Sequence, residues 1–543
     1  MRTLLTLAKN LFLPALLLPA FPAVFAADPP AHDFTAKIQQ QVATVVAEDK
    51  RGLFHADWNS LAAYRTPTWF QDAKFGIFLH WGVYSVPAFA NEWYSRNMYV
   101  PGNAAFQHHV ETYGPQSKFG YKDFIPMFRA ERFDANAWAD LFARAGAKYV
   151  VPVAEHCDGF PMYDSQFTDW SAAKMGPHRD VVGEIATAAR AHGLRFGASS
   201  HRAEHWWWYG VGRTFDSDVN DPRYAGLYGP AARMSLPGVV DETKEPDPNH
   251  LEQWLPPDQA FLDDWLARSS EIVDKYHPDF FYFDWWIGQP AFAKALQQFA
   301  AYYYDRNAEQ HGGKQEAVLT YKIEAMPANT ATLDIERGKM DTLRLLPWQT
   351  DTSVSIHSWG FVEHDEYRDA KSLIHQLIDT VSKNGNLLLN VGPKPDGTIP
   401  DEAKTVLLQM GDWLKVNGEA IYGTRPWSVF GEGPTRAGKD STAKNSDIQA
   451  YKPEDIRFTT RDGNLYATAL GWPESGELQI HVLGSGLPYL GGNICSVALL
   501  GSDAPITFTQ KPTGLFLELP AQKPNDIAYV FRIRYGACGT GSH

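Results

Sequence analysis

Five stretches of this chain end in residues that can do chemistry. Phe75 to Leu79 closes on His80-Trp81-Gly82, and Tyr149 to Val153 leads to Glu155-His156-Cys157-Asp158. Another run ends Ser199-Ser200-His201. Phe280 to Phe283 runs directly into Asp284-Trp285-Trp286, and a later stretch reads Thr332-Leu333-Asp334-Ile335-Glu336-Arg337. One such carboxylate or imidazole is unremarkable. A series of them wrapped in tryptophan describes a pocket for sugar, where bond cleavage needs two carboxyl groups, one at the anomeric centre and one protonating the leaving oxygen. Asp284 reads as the nucleophile, since it follows an apolar run and Tyr282, Trp285 and Trp286 can strip water from it. The competing role for an Asp there is to cap the next helix, but the helical pattern resumes only near Ala291. Glu336 reads as the acid/base, with Arg337 able to bias its protonation; Glu324, Asp334 and Asp351 compete for that role.

The elements that must hold these residues follow a rhythm. Apolar runs at 75–80, 149–153, 194–199, 280–283, 317–321 and 386–390 alternate with helical spacing over 135–145, 178–192, 259–276, 291–307, 366–382 and 402–417. Strands alternating with helices imply a parallel sheet. This many units fits an α/β fold of the (β/α)8-like TIM type, in which polar residues at the C-terminal strand ends line the active site. An open doubly wound sheet is the rival, and it would bring an early Gly-rich phosphate loop that is absent from the sequence. The barrel is expected over residues 58–427, after a lead-in over 28–57 with a short helix at 38–47. From 428 to 543, short runs between Gly and Pro turns predict a C-terminal β-sandwich. The polar stretch 209–256 reads as a long loop over the barrel mouth.

Bulk properties narrow the partners. The chain has 543 residues, 44% of them hydrophobic, a formal net charge of -14 and a pI near 5.7. That balance argues against nucleic acid or an anionic membrane as partner, since both call for clustered Lys and Arg. Arg2 and Lys9, the apolar stretch Leu11 to Leu18 and the small residues at Val24-Phe25-Ala26-Ala27 read as a cleaved export signal over 1–27, which places the protein in the periplasm or outside the cell. An uncleaved anchor is the alternative. Of three cysteines, Cys495 and Cys538 can pair, and Cys157 is expected to be free. No CxxC or HExxH pattern exists, so neither a metal nor another cofactor is expected. His108-His109 reads as loop surface. Trp206-Trp207-Trp208 reads equally as a platform for the departing sugar or as loop packing. Oligomeric state is not legible.

Longer blocks carry a family resemblance. They are WFQDAKFGIFLHWGVYSVPAFANEWYSRNMY (69–99), KYVVPVAEHCDGF (148–160), the Asp284 strand, PWQTDTSVSIHSWGF (347–361), SKNGNLLLNVGPKPDGTIP (382–400) and NGEAIYGTRPW (417–427). Through them the chain resembles glycoside hydrolase family 29, the α-L-fucosidases, over residues 58–427. The resemblance implies an exo-acting, retaining hydrolase of terminal α-L-fucose on oligosaccharides or glycoconjugates, working through a covalent fucosyl–aspartate. It implies Asp284 as nucleophile, Glu336 as acid/base, and His80, Glu92, Trp93, His156 and Tyr282 around the sugar, with Trp285 beside them. The sequence departs from the family pattern where Cys157 stands for a second adjacent histidine, where a tyrosine near Ser199 is missing and His201 is on hand, and where Lys322 takes the place of an arginine. The other readings left open are an α-L-galactosidase on the same fold and a non-catalytic carbohydrate-binding protein.

Overall fold

The computed structural model describes residues 32–244, 246–435, 450–536 and 538; the expected leader lies outside them. Eight strands form its centre: β1 Phe75–Leu79, β2 Tyr149–Glu155, β3 Arg195–Ser200, β4 Phe280–Phe283, β5 Val318–Lys322, β6 Thr332–Glu336, β7 Trp348–Ser353 and β8 Gly385–Val391. Each pairs in parallel with the next, and β8 returns to β1 from Phe75↔Leu387 to Leu79↔Val391, so the sheet closes. In such a barrel one strand face meets the interior and the other meets helices. Both are dry, which is why β1, β2, β4 and β8 are buried throughout and read as unbroken apolar runs.

The surrounding helices are α1 Thr35–Glu48, α2 Ala135–Arg144, α3 Val181–Ala191, α4 Gln259–Tyr276, α5 Ala293–Gln310, α6 Ala370–Ser382 and α7 Asp401–Asn417. Four begin at an aspartate cap. Asp134, Asp180, Asp258 and Asp369 each accept a backbone N–H of the first turn. These caps explain why α3 and α6 start later than their apolar spacing suggests: a side chain that satisfies the free N–H groups fixes the first turn behind it. The alternation is incomplete. Residues 323–331 and 337–347 join β5 to β6 and β6 to β7 without a helix. Instead Ile335, Met340 and Trp348 cluster outside the wall, and Lys339 Nζ reaches Tyr451 Oη at 3.3 Å.

The C-terminal region is two antiparallel sheets. One holds β9 Arg425–Glu432, β10 Ile456–Arg461, β11 Asn464–Ala469, β13 Asn493–Leu499 and β16 Tyr529–Gly536 in the order β13-β16-β11-β10-β9; the other holds β12 Glu477–Ile480, β14 Thr507–Lys511 and β15 Gly514–Glu518 in the order β12-β15-β14. Phe458, Leu465 and Phe531 from the first and Leu478, Leu515 and Leu517 from the second share one core, the packing of a β-sandwich. β9 straddles the expected boundary at 427/428 because Arg425 and Pro426 pair with Thr460 and Thr459 of β10. Cys495 and Cys538 form a disulfide, and Cys157 is free and buried.

The sandwich docks on α6 and α7. Buried Asp379 in α6 meets Lys383 Nζ at 2.7 Å and Arg457 Nε of β10 at 2.6 Å. His375 Nε2 meets the carbonyl of Ile527 at 2.8 Å, and Trp413 Nε1 donates to that of Ala528 at 3.1 Å. No helix of the described residues is long and apolar enough to cross a membrane.

Candidate active site

Side chains alternate along a strand, so residues two apart share a face. Phe78, Val151, Phe280, Tyr282, Val318 and Leu388 pack together inside the barrel. Continuing their registers upward puts His80 above Phe78, Asp284 above Tyr282, Lys322 above Thr320 and Asn390 above Leu388. Asp334 and Glu336 of β6 and Asp351 of β7 converge on the same lysine. The apolar interior of the strands thus dictates a polar ring at their C-terminal ends, where barrel enzymes place their chemistry.

Lys322 is the hub of that ring. Its Nζ lies 2.7 Å from Glu336 Oε2, 3.3 Å from Asp284 Oδ1 and 3.4 Å from Asp351 Oδ2. Burial works against its charge, but Asp284, Asp351 and Glu336 outweigh burial and hold the ammonium well above the ordinary lysine range. Asp284 also accepts from Trp285 N at 2.9 Å on Oδ1 and meets His201 Nδ1 at 3.0 Å on Oδ2. Burial would raise this carboxyl; Lys322 and the His201 hydrogen bond overcome it and keep Asp284 below the usual carboxylate range. The capping role weighed above is present in miniature: Asp284 caps the one-turn 3₁₀ helix Trp285–Gly288, while α5 begins only at Ala293.

Among the carboxylates competing with Glu336, Asp334 and Asp351 are almost fully buried beneath the lysine. Tyr282 Oη donates to Asp351 Oδ2 at 2.8 Å, and Gln349 Nε2 to Asp334 Oδ2 at 2.7 Å. Burial and then its neighbour Asp351 push Asp334 well above the carboxylate range, which favours its protonated form. Glu324 is exposed in the loop after β5. Glu336, with a side chain 39% exposed, is the carboxylate of the ring that faces the mouth.

Opposite the lysine stand three buried imidazoles. The centroids of His80, His156 and His201 lie 5.0–5.7 Å apart, and a ligand atom of each lies within 4.8 Å of the others. Asn390 Oδ1 accepts from His80 N at 3.0 Å and pairs with its Nδ1 at 2.8 Å, which leaves Nε2 as the ring's lone-pair nitrogen. Burial first, then the neighbouring rings, holds His80 and His156 well below the ordinary histidine range, so both are neutral. His201 Nε2 meets Ser199 Oγ at 2.7 Å.

The remaining expected site residues surround these. Glu92 is buried and accepts Trp359 N at 2.9 Å and Ser358 Oγ at 3.3 Å; burial raises its carboxyl. Half-buried Trp93 packs 4.8 Å from Trp208. Trp285 is 8% exposed beside Asp284. Cys157 is buried, with its thiol raised by burial, and its carbonyl meets His205 Nδ1 at 3.0 Å. Tyr282 is inside the barrel, its ring stacked below His201 and its hydroxyl turned to Asp351.

One sequence reading is corrected, and of the two held for the tryptophan run burial favours loop packing. His109 is fully buried on the helix Ala104–Tyr113, between Tyr94 Oη and the carbonyl of Phe119, and is not loop surface. Trp206, Trp207 and Trp208 are each at most 9% exposed and pack the loop. The described residues of 209–256 form short turns tied to the loop after β1 by Tyr99 Oη donating to Asp218 at 2.8 Å.

Three residues escaped the sequence reading. Trp359 lies 5.2 Å from His80, under the Arg337 guanidinium. Asn390 orients His80. Glu204, 1% exposed, accepts Trp286 N at 3.3 Å and leaves Oε2 without a partner; burial and then Asp284 push it well above its usual range. Trp359 and Glu204 lie in loops away from any apolar run, whereas Asn390 ends the run Leu387-Leu388-Leu389 as His80 and Asp284 end theirs, and that position was the signal available for it.

A parallel barrel whose strand ends set three carboxylates on one lysine, facing a wall of imidazoles and indoles, is the frame of a barrel glycoside hydrolase. Comparison with known proteins narrows that class. The family model described as α-L-fucosidase matches residues 40–419, and the α-L-fucosidase C-terminal domain model matches 451–534. The chain belongs to the α-L-fucosidase family. It is 31% identical to the tissue α-L-fucosidase of Rattus norvegicus over 482 residues, 86% of this chain and 89% of that one. It is 30% identical to the tissue α-L-fucosidase of Homo sapiens over 488 residues, 88% and 90% of the two chains. The crystal structure of Thermotoga maritima α-fucosidase in complex with fucose superposes with a TM-score of 0.66 at 29% identity, covering 88% of this chain and 99% of that chain.

Proposed function

We propose that this protein is an exo-acting, retaining α-L-fucosidase that removes terminal α-L-fucose from oligosaccharides or glycoconjugates. The observation that carries the reading is the lysine shared by Asp284 and Glu336. Contacts of 3.3 and 2.7 Å to one nitrogen cap the separation of those oxygens at about 6 Å, below the roughly 6.5–9.5 Å that inverting enzymes need for an intervening water.

In the proposed reaction, His80, His156 and Glu92 hold the sugar hydroxyls, with Trp93 packed on the ring. Asp284 attacks the anomeric carbon through an oxocarbenium-like transition state as Glu336 gives its proton to the departing glycosidic oxygen. A fucosyl–aspartate ester forms and the aglycone leaves as an alcohol. Glu336, now the carboxylate that Lys322 supports, takes a proton from water. The resulting hydroxide equivalent attacks the same carbon and expels Asp284, so the product keeps the starting configuration. A pocket closed by His80, His156, His201 and Trp359 suits one terminal residue. We also propose export, which the leader-like residues 1–27 and the Cys495–Cys538 disulfide both support.

The test is hydrolysis of 4-nitrophenyl α-L-fucoside by the wild type and Asp284→Ala, with the first-formed product anomer read by NMR. Turnover by the wild type alone, giving α-L-fucose first, is the expected result. Initial β-fucose refutes the double displacement, retained activity in Asp284→Ala refutes the nucleophile, and preference for an α-L-galactoside moves the substrate to the alternative sugar.

A further inference from the structure

The three imidazoles opposite Lys322 suit a ligand other than sugar. We propose that His80, His156 and His201, with Asp284 as fourth ligand, form a site for a divalent transition-metal ion of the zinc type, and that its occupancy shuts the sugar pocket. The shut-off rests on the reading of this pocket as the sugar site; the metal site itself does not.

Tetrahedral zinc sites take three or four ligands from His, Cys and carboxylate, with metal–nitrogen distances of about 2.0–2.1 Å. Two such ligands stand roughly 3.3 Å apart around the ion, and His201 Nδ1 and Asp284 Oδ2 are 3.0 Å apart. The ligand atoms of His80, His156 and His201 lie within 4.8 Å of one another, close enough to converge by small ring rotations. The outer partners are the kind that metal-bound imidazoles use. Asn390 Oδ1 takes the Nδ1 proton of His80 and frees Nε2. Ser199 Oγ, at 2.7 Å from His201 Nε2, does the same for His201 once its ring proton shifts from Nδ1 to Nε2; the serine hydroxyl then accepts where it had donated, and no proton is lost. His156 Nδ1 is buried and has no hydrogen-bond partner, so this ring is 5% exposed with unspent coordinating capacity. The nearest ammonium is already engaged: Lys322 Nζ lies within 3.4 Å of carboxyl oxygens of Asp284, Glu336 and Asp351.

Binding would engage Asp284 Oδ2 and the imidazoles together, so that the attacking carboxylate and the groups facing the sugar are lost at one stroke. Oδ1 would keep its contacts to Trp285 N and Lys322.

Cobalt(II) serves as the probe, because a tetrahedral ion gives a far stronger visible absorption than an octahedral one and reads the site without turnover. Titration of the full chain is expected to give that absorption at one equivalent. His80→Gln and His156→Gln should abolish it and weaken zinc binding by more than the roughly 10- to 100-fold typical of losing only an outer-shell partner. His108→Gln, outside the pocket, should leave it unchanged. Zinc-edge X-ray absorption on the wild type, which needs no variant, should show imidazole nitrogens in the first shell. Absence of the tetrahedral band, its persistence in His156→Gln, or a first shell of oxygen alone would each overturn the site. Zinc should also inhibit fucoside hydrolysis competitively. A tetrahedral band without inhibition would uphold the metal site and count instead against this pocket as the sugar site.

Discussion

Replacing Lys322 by Met tests the electrostatics on which Asp284, the proposed nucleophile, depends. The ammonium lies 3.3 Å from Asp284 Oδ1, and two unit charges at that distance attract by about 5 kcal/mol at an effective dielectric constant of about 20. At about 1.4 kcal/mol per pKa unit, losing this attraction raises the Asp284 carboxyl by roughly three to four units. The wild-type carboxyl is held below the carboxylate range, so it is ionised throughout the working range. The sign follows directly: the variant needs the ionised form but gains a proton as pH falls, so its activity is lost on the acid side. We expect kcat/KM for 4-nitrophenyl α-L-fucoside, measured from about pH 4 to 9, to acquire an acid limb that the wild type lacks, falling by about tenfold per pH unit below the raised pKa and levelling off above it. Lys322→Arg keeps the charge and should keep the wild-type profile on the acid side. A Lys322→Met profile whose acid side is the same as that of the wild type would refute the role of Lys322 as counter-ion to the proposed nucleophile.

Glu336→Ala should slow alkyl or glycan fucosides by about 10²–10⁴-fold while aryl fucosides with good leaving groups lose far less, and equal losses on both would move the acid/base role to another carboxylate. The Cys495–Cys538 bridge closes a separation of 43 residues, which constrains the unfolded chain by about 4 kcal/mol. Cys495→Ser/Cys538→Ser should therefore lower stability in urea by up to that amount and leave kcat unchanged; a loss of activity in folded protein would tie the sandwich to the site. Asp158 is fully buried and raised by burial to about 7. Its contribution is present below the unfolded carboxylate pKa and disappears as pH rises through about 7, a change of about 4 kcal/mol. Asp158→Asn should therefore flatten the dependence of Tm on pH across that window, and an unaltered slope would show that this carboxyl does not carry it.

The fold was legible where burial leaves one pattern. The continuous apolar strands Phe280–Phe283 and Asn386–Asn390 are possible only where both faces are dry, and their alternation with helices left the parallel sheet as the consistent arrangement. The two crossovers without helices were not legible, because the outer cover of β6 comes from Met340, Trp348 and a distant domain rather than from adjacent sequence. The same division holds in the site. Asp284 stands out because it ends such a strand, and His80 and His201 because they end others. Trp359 and Glu204 matter through contacts hundreds of residues away or across a turn, and a linear pattern does not record those. His109 was misread because a polar pair in a helix looks like surface until Tyr94 and Phe119 close over it.

The anchoring of the sandwich to α6 has a practical consequence. Asp379 sits between Lys383 and Arg457 with almost no access to water. Losing Arg457 would leave Asp379 with Lys383 alone and remove the ion pair that crosses from helix to sandwich. Cutting the chain after residue 427 would remove Arg457 together with the carbonyls that receive His375 and Trp413. The barrel and the sandwich are therefore a single thermodynamic body: they should melt in one calorimetric transition, and a barrel freed of its companion would present α6 to solvent as an apolar scar around the Asp379–Lys383 pair.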